Sequence, residues 1–191
     1  MRTLLHHDAD TAEAPASPGR PSTWFFWHSH LITRGSRVLD LACGAGRHGL
    51  AAASLGAEVT GVDRDAAALA RAKAAGARQG LKATWLEWDL TSSAPPLGTF
   101  DTLLIFNYLD RQRLPELFDF LRPGGLLFME TFLEEQRAFE WGPTSDAHLL
   151  KRGELTSLVR PLEVLYGREV IEPLAGAKWS AVASVVARKV S

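Results

Sequence analysis

The chain has 191 residues, and 46% of them are hydrophobic, which is enough apolar sequence for one core but not for two full domains. Its 21 basic and 22 acidic side chains give a net charge of −1, so no overall field would hold a nucleic acid or an anionic membrane. The single cysteine, Cys43, excludes an internal disulfide and a cysteine-based zinc site, and we expect no bound metal.

The sequence also bears on the compartment and the partners of the protein. The N-terminus has acidic residues from position 8 and lacks a signal-peptide core, and no later segment approaches about 18 unbroken apolar residues. We therefore expect a cytoplasmic protein with no membrane partner and no nucleic-acid partner. The neighbouring basic residues Arg111 and Arg113, and Lys151 and Arg152, are interpreted as solvated surface.

The first residues differ in composition from the rest of the chain. Residues 1–20 are rich in Ala, Pro and small polar residues, which bury little apolar surface, and we predict a flexible leader there. A single domain is predicted over residues 21–191. Ser22 is expected to cap a short helix whose aromatic side chains, Trp24 among them, need cover from the fold.

From residue 36 onward, apolar runs of strand length alternate with segments typical of helices. Strands are predicted at residues 36–42, 57–63, 83–88, 100–107 and 126–131, and helices at residues 47–56, 65–80 and 114–121. This alternation indicates an α/β fold, a Rossmann-like, doubly wound sheet that is mostly parallel and has helices on both faces.

The last third of the chain has a different pattern. After a short predicted helix near residues 152–159, two longer β-type segments at residues 162–172 and 178–190 are separated by the turn-rich PLAGA. This connection is too short for a parallel crossover, so we predict that the two segments form a C-terminal antiparallel hairpin at the edge of the sheet.

Residues 44–49 read GAGRHG, which fits G-x-G-x-x-G, at the end of the first predicted strand. The pattern alone is not specific, because glycine-rich turns after a strand bind several cofactors. Gly44 and Gly46 are expected to take positive φ and to let a ligand approach the backbone closely. Gly49 is interpreted as only a helix residue packed near the sheet.

Asp40 lies four residues before Gly44 and favours one kind of cofactor. A carboxylate beside this turn repels a pyrophosphate, whereas it attracts the ammonium and sulfonium groups of S-adenosylmethionine. The alternative that Asp40 only accepts hydrogen bonds from backbone donors at the strand end stays open.

Two more carboxylates follow the second and third predicted strands. Asp63 comes 19 residues after Gly44, where a carboxylate can accept hydrogen bonds from the ribose hydroxyls of NAD or of S-adenosylmethionine. It could instead cap the next helix, although Asp65 is better placed for that. Asp89 with Leu90 can accept from the adenine amino group and supply an apolar wall, or Asp89 is an ordinary loop residue.

These segments together resemble the successive motifs of class I S-adenosylmethionine-dependent methyltransferases. The resemblance spans about residues 36–131 and is carried by VLDLACGAGRHG, GVDRD, EWDL and RPGGLLFME, while GRH and FNYL are most similar to small tellurite-resistance-type and related small-molecule methyltransferases. It implies the class I methyltransferase fold, S-adenosyl-L-methionine as cofactor and S-adenosyl-L-homocysteine as product. The cofactor-binding residues that it implies are Asp40, Ala42, Cys43, Gly44, Ala45, Gly46, Asp63, Arg64, Asp89, Leu90 and Asn107.

The methyl acceptor is expected over Asn107 and Tyr108, after the fourth strand. Family members that methylate planar amines carry an Asn/Asp-Pro-Pro-Tyr/Phe turn here, and the absence of those prolines from Asn107-Tyr108-Leu109-Asp110 argues against an adenine or glutamine amine. If a proton must be removed, the candidates are His48, Tyr108 and Asp110, although a base is optional in methyl displacement. Cys43 is interpreted as a packing residue, because no base is evident beside it.

Two aromatic segments are expected to close the acceptor site as a lid, one near the N-terminus and one after the fifth strand. The residues expected to bind the substrate are Trp24, Tyr108 and Trp141. The alternatives are that the tryptophans cover the sheet edge and that the tyrosine is a core residue.

The leading hypothesis is therefore an enzyme that transfers a methyl group from S-adenosylmethionine to a small molecule. An NAD(P)-dependent oxidoreductase is an alternative that GAGRHG and Asp63 would allow. A non-catalytic S-adenosylmethionine-binding protein is the other alternative. The sequence does not indicate the acceptor or the oligomeric state.

Overall fold

The computed structural model describes residues 19–174, 176 and 178–190. Most of the leader predicted over residues 1–20 lies outside them. The helices are α1 (Thr23–His28), α2 (Arg47–Ser54), α3 (Ala66–Arg78), α4 (Leu114–Leu117) and α5 (Glu154–Leu158), and the strands are β1 (Arg37–Leu41), β2 (Glu58–Asp63), β3 (Ala83–Glu87), β4 (Phe100–Phe106), β5 (Leu121–Phe132), β6 (Glu163–Pro173) and β7 (Trp179–Arg188). In these ranges no helix is both long and apolar enough to cross a bilayer.

The strands form one sheet in the order β3-β2-β1-β4-β5-β7-β6. The first five strands are parallel, and β7 is antiparallel to both β5 and β6. The mostly parallel α/β sheet and the C-terminal hairpin are therefore confirmed. β5 begins at Leu121 rather than at residue 126, because Leu121 already pairs with Phe100 before a shift in register.

Both faces of the sheet are covered, which explains the continuous apolar character of β1 and β4. On one face, α1 and α2 pack over a cluster that includes Val38, Leu104 and Phe106. On the other face, α4 and α5 cover a cluster that includes Leu39 and Ile105. The order of strands reverses between β1 and β4, and the carboxyl ends of these two strands are where a ligand is expected in such a sheet.

Helix α1 begins as predicted but does not form a lid. The Ser22 side chain accepts a hydrogen bond from the backbone N–H of Phe25 at 3.1 Å. Trp24 is only 3% exposed, and its indole N–H donates to the carbonyl of Val185 at 3.2 Å. The expectation that Trp24 binds the substrate is therefore wrong, because its ring is buried in the core between α1 and the sheet.

The indole of Trp85 on β3 lies against three glycines. A Cβ on Gly46 would stand 2.5 Å from the Trp85 ring and 2.9 Å from the Ala72 Cβ, and a Cβ on Gly61 would overlap the same ring. A Cβ on Gly49 would lie 3.0 Å from the Asp40 carboxylate. Gly49 is thus more than a helix residue packed near the sheet, and the Gly46 side of the loop is occupied by an indole rather than open to a ligand.

Replacing Gly46 is expected to destabilise the fold more than replacing Gly44, although both residues have positive φ. Gly46→Ala combines left-handed strain with the overlap at Trp85, and we expect a loss of about 2–5 kcal/mol in the free energy of unfolding. Gly44→Ala has open space around its Cβ, so we expect about 1–2 kcal/mol from the backbone alone. Urea unfolding of both variants measures the difference, and equal losses would contradict the role given to Trp85.

Candidate functional site

Two adjoining cavities lie at the carboxyl ends of β1 and β4. The larger cavity has a volume of about 660 Å³ and the smaller one about 320 Å³. Ala42 and Asn107 line both cavities, and each takes a left-handed backbone conformation, with φ of 52° and 57°. This conformation is unusual outside glycine, and such strain is concentrated at functional sites.

Asp63 lines the larger cavity and also holds the glycine-rich loop. One carboxylate oxygen accepts from the Gly44 N–H at 2.7 Å, and the other accepts from the Asp65 N–H at 2.9 Å. Each oxygen keeps a further lone pair for a ligand hydroxyl. Asp65 caps α3, as expected, by accepting from Ala67 and Ala68. Asp63 therefore does not cap α3, and its carboxylate holds the glycine-rich loop and lines the larger cavity.

The wall beyond Asp63 combines polar and apolar side chains. One oxygen of Asp89 accepts from both the N–H and the hydroxyl of Thr91, and these hydrogen bonds hold the pKa of Asp89 below its usual value. Leu90, Arg64 and Tyr108 line the same cavity. The Tyr108 hydroxyl is buried and has no hydrogen-bond partner among the described residues, which indicates a donor available to a ligand.

Asp40 lines the smaller cavity and is fully buried. Its carboxylate accepts from the Gly49 N–H at 2.8 Å, and desolvation raises its pKa to about 7. Asp40 thus bonds to a backbone donor, as one alternative held, and its position in the cavity wall leaves the expected cofactor contact as a prediction. Cys43 lines this cavity as well, and its burial beside Asp40 and Asp63 raises the pKa of its thiol, so the thiol stays protonated.

His48 is not available as a base. Its Nε2 accepts a hydrogen bond from the Ser22 N–H at 3.0 Å, so in the neutral ring the proton sits on Nδ1. The ring stacks on Phe106 with centroids 3.7 Å apart and is 3% exposed, and burial lowers its pKa well below the usual value. The prediction that His48 removes a proton is therefore wrong, because its only lone pair is already occupied.

Asp110 and Arg111 build the outer wall of the larger cavity. Asp110 accepts from the backbone N–H groups of Gln112 and Arg113, both at 3.2 Å, which makes it the cap of a turn. Arg111 is not free solvated surface. It donates to Glu154 at 2.6 and 3.1 Å, and to the carbonyls of Ala147 and Leu149 at 3.3 and 2.7 Å.

Trp141 lines neither cavity. Its indole N–H donates to the Trp179 carbonyl at 2.7 Å, and its ring packs edge to face on Phe132. It therefore covers the sheet near the start of β7, and the expectation that it binds the substrate is wrong. Gly46 also lines neither cavity, because Trp85 fills the space beside it.

The remaining residues implied by the resemblance are brought together. Six of them, namely Asp40, Ala42, Cys43, Gly44, Ala45 and Asn107, line the smaller cavity, and Asp63, Arg64, Asp89 and Leu90 line the larger one. Sequence reasoning missed the lining residues Arg47, Thr91, Phe106, Leu109 and Arg111. Arg47, Thr91 and Phe106 are neighbours of assigned residues. Ala147 and His148 end the segment after the fifth strand that was expected to close the site, and Arg111 ties this segment to the larger cavity.

Comparison with known proteins shows what the chain is similar to in sequence and fold. Residues 38–125 match a family model described as a methyltransferase domain. The ribosomal protein L11 methyltransferase of Dechloromonas aromatica is 35% identical over 58% of this chain, but those residues are 37% of that protein. The ubiquinone biosynthesis O-methyltransferase of Xanthomonas euvesicatoria pv. vesicatoria is 28% identical over 82% of this chain and 70% of that protein.

A solved structure supports the fold. TehB from Haemophilus influenzae superimposes with a TM-score of 0.71 at 20% identity, over 85% of this chain and 60% of that chain. In the sequence of residues 38–125 and in the order of its strands, the chain is similar to class I S-adenosylmethionine-dependent methyltransferases. The chain spans less than half of the L11 methyltransferases that it matches, 37% and 41% of their lengths.

The raised pKa of Asp40 predicts a pH dependence of stability. Burial makes the folded protein favour the protonated Asp40 carboxyl. The contribution of this carboxyl to the free energy of unfolding is therefore fully present below about pH 4 and is lost as the pH rises through about 7. Asp40→Asn has no carboxyl to ionise and should not lose this stability. The free energy of unfolding of the variant minus that of the wild type should therefore increase by about 2–4 kcal/mol between pH 4 and pH 8. Denaturant unfolding across this range measures the gain, with the exposed Asp119→Asn as control, and parallel pH curves would contradict the burial argument.

Proposed function

We propose that the protein is an enzyme that transfers a methyl group from S-adenosylmethionine to a small-molecule acceptor by in-line displacement. The observation that carries this proposal is the pair of cavities that meet at Ala42 and Asn107. The larger cavity presents Asp63 and Asp89, which suit an adenosine, and the smaller one presents Asp40, which suits an ammonium group.

The residues present fit this cofactor. In the larger cavity, the Tyr108 hydroxyl is buried without a partner among the described residues, and Asp89 has a second carboxylate oxygen outside its bonds to Thr91. In the smaller cavity, no atom lies within 4 Å of where a Cβ on Gly44 would stand, so a ligand has room to approach the loop. Asp63 and Asp89 would hold the adenosine, and Asp40 the ammonium end.

S-adenosylmethionine supplies an electrophilic methyl group on a sulfonium, and the protein's own task is alignment. Asn107 and Ala42 stand at the junction of the cavities, where the methyl group of a ligand that spans both would lie. His48 has no lone pair for a proton. Asp110 uses one carboxylate oxygen in its turn and lines the larger cavity, as Tyr108 does, so these two side chains are the candidates if a proton must be removed.

Two observations support a small acceptor. The net charge of −1 gives no field for a nucleic acid. The ubiquinone biosynthesis O-methyltransferase matches 82% of this chain, and the ribosomal protein L11 methyltransferase matches 58%. The first name refers to the biosynthesis of a small molecule, whereas the second refers to a protein acceptor.

Binding experiments test the proposal directly. We expect S-adenosylhomocysteine to bind, and Asp63→Ala and Asp89→Ala to weaken it about 10- to 100-fold, since each loses hydrogen bonds to a charged group. Calorimetry measures these affinities, with Asp119→Ala as an exposed control and thermal unfolding to check that the variants fold. A labelled-methyl assay across thiols, chalcogen oxyanions, amines and carboxylates should then show transfer. Tight NADH binding without any response to S-adenosylhomocysteine would favour the oxidoreductase instead.

A further inference from the structure

Arg47 is a cation that lines the smaller cavity, and neither the sequence motifs nor the fold assigns it a role. It is the first residue of α2 and lines the cavity together with Asp40 and Asn107. Among the described residues, no salt bridge includes Arg47. Burial lowers the pKa of its guanidinium, yet an arginine stays protonated in proteins.

The other charged groups near Arg47 already have partners. Glu130 accepts from the Ser184 hydroxyl at 2.7 Å and from Arg168 at 3.3 Å. Arg168 also pairs with Glu172 at 2.9 Å. Asp40 is bonded to a backbone N–H, and burial raises its pKa to about 7, so its negative charge is only partial near neutral pH. A half-buried cation is thus left without a full counter-charge, which a bound anion would supply.

The position of Arg47 relative to the two buried carboxylates bears on where that anion comes from. Glu130 raises the pKa of the guanidinium more than Asp40 does. Glu130 lies on β5, on the far side of β4 from the glycine-rich loop, whereas Asp40 lies on β1 beside that loop. Arg47 also lines the smaller cavity together with Phe106 and Asn107 at the end of β4, which is where the methyl acceptor is expected.

We propose that Arg47 binds a carboxylate of the methyl acceptor, so that the acceptor is an acidic small molecule. This inference rests on the proposed function, because it assumes that the smaller cavity is the methyl-transfer site. A lone pair of the acceptor forms the new bond to the methyl carbon, and the carbon–sulfur bond breaks with its electron pair on sulfur, which leaves S-adenosylhomocysteine. The acceptor carboxylate stays ionised at Arg47, and any proton on the nucleophile passes to solvent.

Matched acceptor pairs test the charge requirement. Mercaptoacetate is compared with 2-mercaptoethanol, and thiosalicylate with thiophenol, in labelled-methyl transfer and in ligand-detected NMR binding to the protein loaded with S-adenosylhomocysteine. The wild type should favour the acidic member of each pair about 10- to 100-fold, as expected for hydrogen bonds to a charged group. Preference for the neutral member, or none, in both assays would overturn the inference.

Variants then assign the preference to Arg47. Arg47→Gln should bring the acid-to-neutral ratio close to one while the affinity for S-adenosylhomocysteine changes less than about threefold, and Arg47→Lys should keep part of the preference. Arg122→Gln, which removes an exposed arginine paired with Asp101, is the charge-matched control and should keep the full ratio.

Two results separate the possible failures. If Arg47→Gln weakens the binding of S-adenosylhomocysteine tenfold or more but leaves the affinity for 5′-methylthioadenosine unchanged, Arg47 holds the carboxylate of the cofactor. That result would overturn the inference. If the wild type does not bind S-adenosylhomocysteine at all, the proposed function itself fails.

Discussion

The glycine-rich loop is held at both ends by carboxylates from the strands beneath it. Asp63 on β2 accepts from the Gly44 N–H, and Asp40 on β1 accepts from the Gly49 N–H. Between these points the Trp85 ring fills the space that a Cβ on Gly46 would need. The loop can therefore take only one path, and that path places Ala42 and Gly44 at the edge of the smaller cavity. The position of α2, and with it His48 and Arg47, follows from the same contacts.

The electrostatics of the site follow from this arrangement. Burial keeps His48 neutral and Cys43 a thiol, so neither supplies a base or a nucleophile. What remains near the junction of the cavities is a partially ionised Asp40 and a cationic Arg47. A site of this kind orients a charged ligand, which suits a displacement reaction in which alignment lowers the barrier.

Much of the fold could be predicted from the sequence because local patterns determine it. The alternation of apolar runs and helical segments gives the parallel sheet, the short PLAGA connection gives the hairpin, and Asp65 and Ser22 are caps that depend only on their neighbours. The sequence also placed Asp40, Asp63 and Asp89 at one edge of the sheet, and they do line the two cavities there, since they stand near or just after the carboxyl ends of β1, β2 and β3.

The rest depended on contacts between distant segments. The Ser22 N–H reaches His48 across 26 residues and removes it as a base, and Trp24 reaches Val185 across 161 residues. Trp141 could cover either the acceptor or the sheet, and only the bond to Trp179 decides between them. The role of Gly49 was underestimated because the close approach of α2 to Asp40 is a property of packing, which no motif encodes.

A crystal structure with S-adenosylhomocysteine tests the central claim most directly. We expect the adenosine in the larger cavity, with its ribose at Asp63 and its adenine beside Asp89 and Tyr108. The amino-acid end should lie in the smaller cavity with its ammonium group at Asp40. The sulfur that links the adenosine to the amino-acid end should lie beside Ala42 and Asn107, where the two cavities meet. An adenosine in the smaller cavity, or an amino-acid end directed away from Asp40, would contradict the account.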